Sequence, residues 1–91
     1  MSIEDALQLI NDSKEFLKLY KIYGQIILDG IAQLEKLETL IRGNAYDQAY
    51  KLSCTMCEQI AGYRGFVPQL ADNLDKILVI LKNNLGSTRN F

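Results

Sequence analysis

Ile41-Arg42-Gly43-Asn44-Ala45-Tyr46-Asp47 is the stretch on which the fold turns. Apolar residues run in heptads on either side of it, but in two different registers. With Ile3 at position a, the a and d sites up to Ile41 are Ile3, Ala6, Ile10, Ser13, Leu17, Tyr20, Gly24, Ile27, Ile31, Leu34, Glu38 and Ile41, nine of them apolar. With Tyr46 as the new a, they are Tyr46, Ala49, Ser53, Met56, Ile60, Tyr63, Val67, Leu70, Leu74, Ile77, Leu81 and Asn84, ten of them apolar. Between the two registers, glycine and asparagine in succession suit the left-handed residue that ends a helix. The reading is an all-α antiparallel two-helix hairpin, with long helices over about 3–42 and 45–85 and so short a connection that the two must run side by side. At 1.5 Å per residue the first helix would be roughly 60 Å long.

Gly62, Gly65 and Pro68 interrupt the second helix. Proline cannot donate to the carbonyl four residues back and its ring crowds that turn, so a kink is expected near Arg64 to Val67. The unbroken heptad phase through Ile60, Val67 and Leu74 favours a kink over a full break, which would instead give a three-helix bundle. Residues 86–91 read as a frayed tail, and 1–91 as a single helical domain.

Composition narrows the function classes. Ten Lys and Arg against eleven Asp and Glu leave a net charge of −1, which gives no field to attract nucleic acid or an anionic membrane. Histidine and tryptophan are absent, which removes the commonest general base and the commonest neutral metal ligand. Acid pairs such as Asp72 with Asp75 or Glu35 with Glu38 sit at helical spacing without a nucleophile or base beside them. No catalytic residue, metal site or cofactor is expected, and no enzymatic activity. Cys54 and Cys57 have C-x-x-C spacing but no second pair and no preceding βαβ pattern, so they read as a reduced, partly buried helical pair. The N-terminal residues carry no basic region followed by an apolar run, and no segment approaches the ~20 apolar residues a bilayer needs. The expectation is a cytoplasmic chain with no signal peptide and no membrane insertion.

The first helix is wider in its apolar face than a hairpin requires. Leu9, Phe16, Tyr23 and Leu37 at g, and Leu19, Ile26 and Leu40 at c, extend the stripe to roughly 160°, against about 100° for a helix with one neighbour. The second helix adds Tyr50, Cys57, Ala71, Leu78 and Leu85 at e. Phe16, Leu19, Tyr23, Ile26, Leu37, Leu40 and Leu78 are therefore the expected partner-binding surface, and an obligate or near-obligate bundle of four or more helices the expected assembly.

The turn also carries a resemblance. An apolar residue, then x-Gly, then Ala45-Tyr46-Asp47, set between two long amphipathic helices, resembles the WXG/LXG superfamily of type VII secretion, whose members carry Trp-x-Gly or Leu-x-Gly at the hairpin turn. The resemblance covers Ile3 to Leu85 in architecture and about seven residues in motif, with Ile41 standing where the family has Trp or Leu. It marks Ile41, Gly43, Ala45, Tyr46 and Asp47 as the turn motif. It implies an accessory or targeting protein that binds the helical N-terminal domain of an LXG-type toxin, alone or with a second small helical protein, and leaves the cell, if at all, in that complex. The family's C-terminal Tyr-x-x-x-Asp/Glu export signal is missing: Val67 follows Tyr63 by four, and Leu70 follows Phe66. A self-dimerising WXG-type secreted hairpin and a small helical immunity or inhibitor protein are the alternatives.

Overall fold

The computed structural model describes residues 2–63, 65 and 67–89, the side chains of Tyr63 and residues 86–89 excepted. Among the described residues the chain is all-helical. Four α-helices, α1 (Ile3–Lys18), α2 (Gln25–Arg42), α3 (Tyr46–Ile60) and α4 (Pro68–Arg89), are separated by one-turn 3₁₀ segments at Lys21–Tyr23 and Ala61–Tyr63 and by the tight turn at 43–45. Each expected long helix is thus two helices. The turn at Gly43 and Asn44 is where the heptad registers place it, but the bundle is made within one chain rather than with a partner.

The first break follows from backbone chemistry. Gly24 has φ +84° and ψ −145°, a conformation open in practice only to glycine. It receives the chain from a 3₁₀ turn in which Tyr23 N–H donates to Tyr20 C=O and Gly24 N–H to Lys21 C=O. The second break corrects the expected kink. Pro68 is the first residue of α4, where its missing N–H would have no intrahelical acceptor and its fixed φ suits the helix, so the proline starts a helix instead of bending one. Arg64 and Phe66, within the expected kink, lie outside the described residues. Helical backbone continues to Arg89, where fraying from Gly86 was expected; Asn90 and Phe91 lie outside the described residues.

Short connections make successive helices antiparallel. α1 packs against α2 and α4, and α3 against α2 and α4, which closes the ring. The radius of gyration is 12.9 Å, close to the ~12 Å of a compact chain of this length rather than that of a rod. The core is the heptad seam of each helix turned inward: Ala6, Ile10, Ser13 and Leu17 from α1, Ala49, Ser53, Met56 and Ile60 from α3, and Leu70, Leu74, Ile77 and Leu81 from α4. Helix α2 contributes Ile27, Leu34, Leu37 and Ile41. Leu37 is wholly buried, which corrects its assignment to a partner-binding face. The accessible surface is 5657 Å², against about 5,400 Å² for a monomeric protein of this mass. The apolar arc that calls for a second chain on a continuous helix is therefore met largely by the chain's own α2, α3 and α4.

Polar groups tie the helices at defined heights. Ser2 caps α1, its Oγ accepting from Asp5 N–H at 3.3 Å while its own N–H donates to Asp5 Oδ2 at 2.8 Å. Glu38, an apparent fault in the heptad, accepts from Lys14 Nζ of α1 at 2.9 Å and from Arg42 Nε at 3.1 Å. The Lys14 hydrogen bond first, and then the Arg42 one, hold the Glu38 carboxyl below the usual glutamate range. Because the folded value lies below the unfolded one, this contribution is complete above the ordinary glutamate pKa of about 4.3 and is lost as pH falls through the depressed folded value. Thermal melts recorded from neutral pH down through that window should show a steeper loss of stability for the native chain than for Glu38→Gln.

Two serines occupy the core with opposite consequences. Ser13 Oγ donates to Leu9 C=O at 2.8 Å and accepts from Asn73 Nδ2 of α4 at 3.0 Å. Ser53 is equally buried, yet its hydroxyl has no hydrogen-bond partner among the described residues. Leaving a hydroxyl dry and unbonded costs about 1–3 kcal/mol, so Ser53→Ala is expected to raise stability by about 1 kcal/mol, whereas Ser13→Ala lowers it by a similar amount. Urea midpoints of the two variants, measured side by side, should move in opposite directions.

Candidate functional site

The turn motif is a helix terminus built almost wholly from backbone. Ala45 N–H donates to Leu40 C=O at 2.8 Å and Asn44 N–H to Ile41 C=O at 3.0 Å, the paired bonds of a Schellman motif. The left-handed residue is Asn44, at φ 62°, while Gly43 is at φ −87°. A methyl group on Gly43 would meet Thr39 C=O at an ordinary 3.4 Å, so the turn does not need glycine there. Ile41 is buried, Ala45 and Tyr46 are half-buried, and Asp47 is exposed in the first turn of α3. Tyr46 OH donates to Asn44 Oδ1 at 3.0 Å, and Lys51 Nζ lies 3.8 Å from Asp47 Oδ2. All five motif residues are brought together as a cap on the α2–α3 hairpin.

The other end of the bundle is different in kind. Where α1 and α3 end and α2 and α4 begin, an apolar groove of about 680 Å³ opens between the first half of α2 and the end of α3. Leu17, Leu34 and Leu74 form its buried floor, and Tyr23 and Ile26 its exposed rim, with Met56 and Ile60 on the α3 side. Gly30 lets Leu17 approach: a methyl group there would lie 3.2 Å from Leu17 Cδ1. Polar groups are few, namely Gln33, Gln59 and Asp29. Asp29 Oδ1 accepts from Gln25 Nε2 at 2.8 Å and is the sole charged side chain in the lining among the described residues. Along α2 the groove and the turn motif are separated by the 15 residues from Ile26 to Ile41, about 22 Å of helix.

Exposed large apolar side chains follow one another along the chain from the end of α1 into α2, two of them, Tyr23 and Ile26, on the groove rim. Leu19 is 78% exposed and Ile22 89%, with Tyr23, Ile26 and Leu28 about half exposed, all within ten residues. The connection that carries them is ordered by its own hydrogen bonds and by a ladder of rings, Phe16 to Tyr20 at 5.1 Å and Tyr20 to Tyr23 at 6.0 Å between centroids. It forms a firm lip.

Of the expected partner-binding residues, the structure brings Tyr23 and Ile26 together on the groove rim, while Leu19 is exposed on the connection between α1 and α2. Phe16 is half-buried under Tyr20, Leu40 and Leu78 are half-buried elsewhere on the bundle, and Leu37 is in the core. Ile22 was missed. Its signal lay in the heptad, for it occupies an f position that a continuous helix keeps polar, two residues before a glycine at a.

Cys54 and Cys57 are thiols, half-buried on α3. Cys57 Sγ lies 3.9 Å from Asp75 Oδ1 of α4. The charge of a Cys54 thiolate, then its hydrogen bond, and then burial push the neighbouring Tyr50 phenol above its ordinary range. No group of three or more His, Cys, Asp or Glu able to hold a metal ion occurs among the described residues. No helix among them is long and apolar enough to cross a membrane. Comparison with protein families, curated proteins and solved structures finds no match.

Proposed function

We propose that the chain is a helical adaptor whose groove receives an amphipathic helix from a protein partner. The observation that carries this reading is the apolar groove between α2 and α3 with its exposed, ordered lip. Helix-in-groove recognition uses aliphatic anchors at i, i+3 or i+4, and i+7, and the aliphatic floor and half-exposed rim suit such anchors. The lip extends the surface beyond the groove, so the partner's helix need not be fully enclosed.

The partner in this proposal is the helical N-terminal domain of an LXG-type toxin, and the chain's role is to support that toxin's type VII export from the cytoplasmic side, without chemistry of its own. The turn sequence Ile41 to Asp47 supports this assignment. In this arrangement the turn cap and the groove sit at opposite ends of α2, leaving the cap free when a helix is bound. Co-expression of the chain with an LXG toxin N-terminal domain encoded beside it should yield a complex that survives size exclusion. Ile26→Glu, on the groove rim, should abolish capture while leaving the melting temperature within a degree or two, since the side chain is half exposed. Failure of the native chain to capture the domain overturns the toxin assignment.

A further inference from the structure

We infer that Cys54 and Cys57 form a dithiol modification site, closed to an intramolecular disulfide by a low-molecular-weight disulfide such as oxidised glutathione, and that closure reshapes the groove through Met56. The bond concerns the chain alone; its effect on partner capture rests on the adaptor reading.

The two thiols stand three residues apart within α3, and both are half-buried, so they share one helix face and solvent reaches each. Side chains at that spacing hold their Cβ atoms about 5–6 Å apart, whereas a disulfide holds them about 3.5–4.5 Å apart. The pair is near enough to join, but only by drawing in that turn of α3. Met56 lies inside the turn, is buried, and lines the groove together with Ile60 one turn further on. Tightening the 54–57 turn therefore moves a wall of the groove.

The neighbouring groups set the order of the two exchange steps. Cys57 Sγ donates to Asp75 Oδ1 of α4 at 3.9 Å, and that carboxylate opposes a second negative charge on Cys57. Cys54 has instead the Tyr50 hydroxyl, one turn earlier on α3, as its hydrogen-bond partner. Cys54 is thus the attacking thiol: its thiolate bonds to one sulfur of the small disulfide, whose S–S bond breaks and releases the other half as a thiol. Cys57 then attacks Cys54 Sγ in the mixed disulfide and releases the second half. Two protein thiols become one S–S bond, and the oxidant leaves as two thiols that carry the two protons.

Incubating the full chain with oxidised glutathione and measuring its intact mass tests the bond. The native chain should lose two hydrogens and retain no glutathione, Cys57→Ser should stop at the mixed disulfide, and Cys54→Ser should react more slowly. Met1 and Met56 are the two methionines, so in methyl carbon-13 spectra the Met56 signal should shift on oxidation while that of Met1 stays in place. The oxidised chain should melt below the reduced one, because so short a loop gains little from closure and the helix turn is strained by it. Capture of the toxin domain should weaken about tenfold, the size of one lost anchoring contact, and recover on reduction. A native chain that retains glutathione or links to a second chain overturns the proposal, as does an oxidised chain whose Met56 signal is unmoved or whose melt rises. Equal capture in both states overturns the effect on the groove. A reduced chain that captures nothing removes the toxin reading and leaves the mass, methyl and melting results to decide the bond.

Discussion

Leu37→Ala is expected to lower folding stability by about 3 kcal/mol, within the 2–5 kcal/mol that truncating a fully buried leucine costs. The side chain is wholly shielded on α2 and belongs to the same cluster as Leu34 and Ile41. Removing it takes away both the transfer free energy of the lost carbons and the packing around them, since an alanine cannot fill the space and the four helices relax only in part. For a domain of this size the melting temperature should drop by on the order of 15 °C. A leucine that faced a partner would behave otherwise: its truncation would weaken association and leave the isolated chain's melt almost unchanged. Urea and thermal unfolding of the variant at low protein concentration separate the two, and a loss under about 1 kcal/mol would place Leu37 outside the core.

Gly24→Ala should also destabilise, by about 1–3 kcal/mol, for a reason confined to the backbone. Among the described residues no atom outside the adjoining chain lies within 4 Å of the position a Cβ would take, so the cost is not a packing clash. It is the strain of placing an L-residue at φ +84° and ψ −145°. The sign is what makes the variant informative. In an uninterrupted helix from Ile3 to Arg42, the same change would replace the poorest helix former but proline with the best and raise stability by about 1 kcal/mol. A lowered melting temperature supports the break at 19–24; a raised one means that α1 and α2 are a single helix in solution.

Those two residues mark where the sequence could be read and where it could not. The seam of α1 was legible: of its heptad sites Ala6, Ile10, Ser13 and Leu17 are buried and Ile3, at its start, is partly buried. The seam of α3 was equally plain, and so was the turn after Arg42, because two registers cannot share one straight helix and Gly43-Asn44 stands between them. The break at 19–24 was harder. Heptad phase is kept across it, as Leu17 and Ile27 are both core, so periodicity alone reports a continuous helix. The contrary signals were local: glycine at an a site and Ile22 at an f site. Pro68 was ambiguous in the same way, since a proline that kinks a helix and one that starts a helix look alike until the neighbouring backbone is known.

The candidate site follows this division. Its rim residues Tyr23 and Ile26 were visible as apolar surplus, whereas the groove lining is assembled from all four helices and has no signature in any one of them. Leu37 was part of the same surplus and went to the core. The amino-acid pattern alone determined that the chain is helical, which side chains avoid water, and where the central turn falls, because these depend on local backbone preference and on a period of 3.6 residues. Whether a wide apolar face meets the chain's own helices or another molecule's was decided by the tertiary structure. Two short breaks bring the faces together as intramolecular neighbours, at a loop-closure cost of a few RT, whereas a separate partner must surrender its translational and rotational freedom. Most of the apolar face is therefore satisfied internally, and among the described residues the large apolar side chains left exposed, Val79 of α4 apart, fall between Leu19 and Leu28, where the first of those breaks occurs.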